Sequence, residues 1–147
     1  ALLRRKAISV IVHSTRLAAE LAVNPDANVL LLGGRYRSER MDTIGPMTQR
    51  AIDDLRGYVA FIGADGLSPE FGISANDIDS AHLYQHVLKN ARDTILLVDH
   101  TKFASPSLYR IADLRVASRV VTDRRPSPEW QTVLAELGIE LICPNEP

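Results

Sequence analysis

The sequence predicts an α/β protein, an open and mainly parallel sheet with helices on both faces, and three observations lead there. Short apolar runs rich in Val, Ile and Leu recur at residues 8–12, 29–32, 58–62, 94–98, 120–122 and 139–142, each the length of a strand. Segments between them place apolar residues at helical spacing, and strands alternating with helices form parallel sheets joined by right-handed crossovers. Several runs stop at glycine or aspartate, so strand ends carry open backbone or a carboxylate.

The first run, Ile8-Ser9-Val10-Ile11-Val12, is a buried strand, and Ser14 caps a short helix carrying Leu17, Ala18 and Leu21. Residues 24–28 are a turn by composition, and the next strand, 29–32, ends at Gly33-Gly34. Residues 35–40 read as a polar loop, after which Gly45-Pro46 opens a helix with Met47, Ala51, Ile52 and Leu55 on one face. The run 58–62 stops at two glycines flanking an aspartate, in Gly63-Ala64-Asp65-Gly66. Asp77 or Asp79 starts a helix in which Ile78, Ala81, Tyr84, Leu88 and Ala91 share a side. Residues 94–98 are continuously apolar, as a strand covered on both faces should be, and end at Asp99. A polar loop and a short turn at 108–114 lead to the strand 120–122, which ends at Asp123. Ser127 before Pro128 is an N-cap with proline at the first helical position, and Gly138 closes that helix before the last strand.

With 147 residues, 46% of them hydrophobic, the chain suits one domain with a real core. The net charge of −1 excludes the overall positive field of a nucleic-acid binder. A single cysteine, Cys143, excludes an internal disulfide framework and a multi-cysteine zinc site, and fits a reducing compartment, so the cytoplasm is expected. No run reaches the ~18 apolar residues of a membrane span, and no membrane partner is expected. Apolar residues next to the first position suggest a chain that begins inside an element.

In an open α/β sheet, ligands bind outside the C-terminal ends of the strands. Asp65, Asp99 and Asp123 follow such ends, with Gly33, Gly34, Gly63 and Gly66 among them, so one rim offers carboxylates and approachable backbone to a polyhydroxylated ligand. Aspartates at these positions also cap helices and loops. Lys102, three residues beyond Asp99, can neutralise a phosphate as a point charge, although loop lysines are commonly just solvated. Arg35, Arg37 and Arg40 fit a solvated loop better than an anion site. His82 and His86 have zinc-ligand spacing, but Leu83 stands where a metalloprotease needs its glutamate and no third ligand is evident, so no metal is expected. No G-x-S-x-G, P-loop or G-x-G-x-x-G pattern occurs, and no cofactor is expected.

These residues resemble a family. Gly33-Gly34, Phe61-Ile62-Gly63-Ala64-Asp65-Gly66 with Gly72-Ile73-Ser74, Asp99-His100-Thr101-Lys102-Phe103 and Thr122-Asp123 are similar, in order and spacing, to the C-terminal sensor domain of DeoR-family transcriptional regulators. The resemblance covers nearly the whole chain. It implies the fold shared by ribose-phosphate isomerases, glucosamine-phosphate deaminases and CoA transferases, and an effector that is a phosphorylated sugar or polyol. It also implies an N-terminal winged-helix domain through which alone the intact protein meets operator DNA. Residues 1–147 are then expected to be the sensor domain, shortened at its N-terminal side, where a strand and a Gly-Thr-Thr-like loop should precede position 1. Family members usually read Thr-Asn-Ser where this chain has Val12-His13-Ser14, so His13 and Ser14 are expected as altered polar contacts. Tyr84 stands where many relatives carry a basic residue. A homo-oligomer is expected.

The expected function is a non-catalytic, effector-binding sensor of a DeoR-type repressor. The alternative is a sugar-phosphate isomerase-like enzyme using Asp65 as base, against which no second acid completes the pair. A scaffold whose rim binds nothing is the third reading.

Overall fold

The computed structural model describes residues 6–144. The chain divides into two compact units, Ala1–Asp54 and Leu55–Pro147, a division that no proline-, glycine- or serine-rich run marks in the sequence.

In the first unit, β1 (Ile8–Val12) passes through α1 (Thr15–Leu21) to β2 (Ala27–Leu31), which pairs with β1 in parallel from Ile8↔Ala27 to Val12↔Leu31. The Ser14 side chain caps α1 by accepting from the Leu17 amide at 3.2 Å, as expected of a serine before an apolar helical pattern. The stretch expected as polar loop is instead a hairpin, β3 (Arg35–Arg37) antiparallel to β4 (Asp42–Ile44). Its polarity is misleading because Arg37 and Asp42 satisfy each other. Nε and Nη2 donate to the two carboxylate oxygens at 2.8 and 2.7 Å, a planar fork with both side chains nearly buried. Gly45, at φ 94°, turns the chain into α2 (Pro46–Asp53), which buries Thr48 and Ile52.

The second unit opens with β5 (Val59–Ile62), β6 (Gly66–Ser68), β7 (Gly72–Ala75), α3 (Ile78–Asn90) and β8 (Asp93–Leu97). It continues through β9 (Tyr109–Ala112), β10 (Arg119–Val121), α4 (Pro128–Glu136) and β11 (Glu140–Ile142). Four strands form the expected parallel sheet in the order β11-β10-β8-β5. Ala60, Ile62, Leu96 and Val120 point from it into a core that also holds Ala81 of α3 and Leu134 of α4. The expectation that 94–98 is covered on both faces does not hold. Burial alternates along β8, and Phe61 and Leu97 stay 60% and 45% exposed, because this core lies against one face of the pleat.

A second sheet, β6-β7-β9, is antiparallel, and β9 occupies the segment expected as a turn at 108–114. Its strands are too short to alternate visibly, and β9 is defined only by pairing with the distant β7, Ile73↔Ala112 and Ala75↔Tyr109. Gly72 permits that approach: at φ 87° a Cβ there would stand 2.2 Å from the Ala112 carbonyl oxygen. Asp77 is the N-cap of α3, accepting from the Ser80 amide at 2.9 Å, and Ser127 with Pro128 starts α4. Gly138 follows α4 at φ 69°. Among the described residues no helix is long and apolar enough to cross a membrane.

Candidate functional site

The C-terminal ends of β5, β8 and β10 are adjacent because those strands are parallel neighbours, with Ile62↔Leu96 and Val121↔Leu97 in register. Gly63 leaves β5 here, Asp99 follows β8, and Asp123 follows β10. Of the residues that sequence spacing placed on one rim, this register brings Gly63, Asp99 and Asp123 together, whereas Gly33 and Gly34 follow β2, which pairs with β1 in a separate sheet of the first unit.

Each carboxylate of the rim already accepts a backbone N–H. Asp99 caps the 3-10 turn His100–Phe103, accepting from the Thr101 amide at 2.9 Å and from the Thr101 hydroxyl. Those bonds, with the Lys102 ammonium 3.9 Å from Oδ2, hold the carboxyl below its ordinary range, although the Asp123 charge opposes them. Asp123 accepts from the His100 amide at 2.6 Å through Oδ1 and pairs with His100 Nδ1 at 2.8 Å through Oδ2. His100 is the main reason its carboxyl is lowered to about 2. Asp65 accepts from the Asn76 amide at 2.8 Å while its own amide donates to the Ser74 carbonyl, so it closes the β6–β7 hairpin and leaves its carboxylate exposed.

Lys102 is held from both sides. After it, Phe103 is buried and meets Trp130 of α4 edge to face, ring centroids 5.2 Å apart, and Trp130 Nε1 donates to the Phe103 carbonyl at 2.9 Å. Further along, the Ser107 amide donates to the buried Ser74 hydroxyl, which itself donates to the Gly66 carbonyl, both at 2.8 Å.

The glycines separate into two kinds. At Gly63 the nearest atom to a Cβ would be the Leu97 carbonyl oxygen at 3.8 Å, and at Gly33 nothing lies within 4 Å, so backbone there is open to an approaching molecule. At Gly66 a Cβ would lie 2.3 Å from the Ser105 carbonyl oxygen, and at Gly34 2.1 Å from the Thr48 hydroxyl. Those two serve internal packing.

In the first unit, burial pushes the His13 imidazole down, an effect that Arg37 adds to and Asp42 opposes. Its carbonyl accepts from the Thr43 amide at 2.9 Å. Ser14 spends its hydroxyl on the α1 cap, and the Gly33 carbonyl accepts from Thr48 Oγ1 at 2.8 Å. His82 and His86 belong to no group that could hold a metal ion among the described residues. The residue that sequence reasoning missed is His100, quoted within a motif but given no role. Two aspartates ending neighbouring parallel strands were the signal, since a side chain just after one strand reaches the carboxylate after the next.

A parallel α/β unit with polar groups gathered at its strand ends defines the class of domains that meet small ligands there. Within that class the chain belongs to the DeoR family: the model of the DeoR C terminal sensor domain matches residues 1–124. The HTH-type transcriptional repressor CsqR of Escherichia coli is 30% identical over 99% of this chain and 56% of its own length. The repressor GlcR of Bacillus subtilis is 29% identical over 94% of this chain and 53% of its own. The glycerol-3-phosphate regulon repressor of Escherichia coli is 26% identical over 97% and 57%. The chain therefore spans little more than half the length of these relatives.

Proposed function

We propose that this chain is the effector-binding part of a cytoplasmic, sugar-responsive transcriptional regulator, taking a phosphorylated sugar or polyol at the rim of its second unit. The intact protein would then meet operator DNA through a domain outside these residues. One observation carries the proposal: open backbone at Gly63, the Asp99–Lys102 pair and the His100–Asp123 pair share the C-terminal rim of three adjacent parallel strands. Carboxylates accept from sugar hydroxyls, and the ammonium neutralises a phosphate. A relative named for the glycerol-3-phosphate regulon supports a phosphorylated ligand. The rim carboxylates are tied to neighbouring amides, which suits binding by fixed acceptors better than proton transfer, and Asp65 as an isomerase base is disfavoured by its hairpin tie to Asn76.

Calorimetric titration with glucose 6-phosphate, glycerol 3-phosphate and their unphosphorylated counterparts tests this. Lys102→Met is expected to weaken the phosphorylated ligand roughly tenfold to a hundredfold, the scale of one charge-assisted hydrogen bond, and to leave the free sugar unchanged. Equal losses for both, or aldose–ketose interconversion seen by NMR, would overturn the reading.

A further inference from the structure

The His100–Asp123 pair is a directed arrangement. One carboxylate takes both the backbone N–H and ring Nδ1 of the same residue, fixing the backbone and the ring plane together. Ionised Asp123 can only accept, so Nδ1 carries the proton of that bond. Nε2 is then the one ring nitrogen left for a ligand, and among the described residues no hydrogen bond to it is seen. The ring is 41% exposed, on the same rim as Lys102.

We propose that His100 Nε2 is a direct contact to the phosphate or other oxyanion of the effector, and that Asp123 is a positioning residue acting through His100 rather than a ligand to the sugar. The inference rests on the rim being the effector site and names the chemistry of one corner of it. Two ion pairs follow the same strand ends, Asp123 with Arg124 after β10 at 4.0 Å and Asp99 with Lys102 after β8 at 3.9 Å. Beside the Lys102 ammonium, an oxyanion is held at Nε2 only where that nitrogen carries a proton. With Nδ1–H spent on Asp123, a neutral ring offers Nε2 as a lone pair, which repels an anion, whereas the protonated ring offers Nε2–H. The same logic sorts substitutions. An asparagine amide can stand where Nδ1 stands and keep the bond to Asp123, but it has nothing at the position of Nε2.

Sulfate is the probe, because it is a phosphate-like oxyanion that is fully ionised at neutral pH, so the N–H of any hydrogen bond to it comes from the protein. Calorimetric titration of the wild-type chain with sulfate should show saturable binding. The His100 Nε2 nitrogen resonance should move with saturation. His100→Asn, with an unchanged melting temperature, should lose about tenfold or more in sulfate affinity. Asp123→Asn should weaken sulfate as well, and combining it with His100→Asn should add little further, as expected when one residue acts through the other. A folded His100→Asn protein that binds sulfate with wild-type affinity overturns this inference and leaves the functional reading standing. A wild-type chain that binds neither sulfate nor any phosphorylated sugar overturns both.

Discussion

Gly63 and Gly66 are three residues apart and indistinguishable by type, yet the structure gives them different work. What separates them is the chain lying over each Cα, and for Gly66 that chain is some forty positions later, beyond any local window. Gly66→Ala would drive a methyl to 2.3 Å from the Ser105 carbonyl oxygen and 2.8 Å from the Ser107 amide, backbone atoms that move only with the whole loop. We expect it to cost about 1–3 kcal/mol, the scale of overpacking a tight site. Gly63→Ala meets only ordinary contact and should stay within about 0.5 kcal/mol. Urea unfolding of both variants checks this, and a wild-type midpoint for Gly66→Ala would mean that residues 105–107 do not sit on β6. The aspartates were legible as strand-end carboxylates, but not which of them capped its own turn, closed a hairpin or oriented a histidine. Those roles depend on which amide stands nearby.

Helices were legible in detail where caps and periodicity agree. Ser14, Asp77 and Ser127 each cap the expected helix through a side-chain oxygen, a local interaction that neighbouring residues specify. The parallel strands were found through their apolar runs, whereas β3-β4 and β6-β7-β9 were missed because their stability comes from an ion pair, buried glycines and long-range pairing. One long-range tie has a measurable consequence. Trp130, the only tryptophan, fastens α4 to the turn that carries His100 and Lys102. Trp130→Phe keeps an aromatic edge for Phe103 but removes the donor, leaving a carbonyl without its bond, and should cost about 1–3 kcal/mol. The denaturation midpoint should fall with an unchanged slope. An unchanged midpoint would show that Phe103 packing alone anchors the turn.

For the molecule as a whole, the α/β class, the parallel order and the family were readable because they rest on features repeated along the entire chain, strand runs, interleaved helices and glycine- or aspartate-marked strand ends. Charge is likewise a whole-chain property, and it bears on what these residues do by themselves. Against 18 acidic residues stand 17 lysines and arginines, and many of the latter are already engaged. Arg37, Arg110, Arg115, Arg119 and Arg124 each lie within 4.0 Å of a carboxylate, so the surface potential they could lend to a phosphate backbone is partly cancelled where it arises. Non-specific affinity for duplex DNA comes almost wholly from neutralising phosphates and releasing their counterions, and it grows with the number of cations that reach the backbone together. Residues 1–147 alone are therefore expected to leave a duplex unshifted in a gel at micromolar protein and about 0.15 M salt. A salt-sensitive complex formed by these residues without any other domain would contradict this, and would place a DNA contact on the sensor itself.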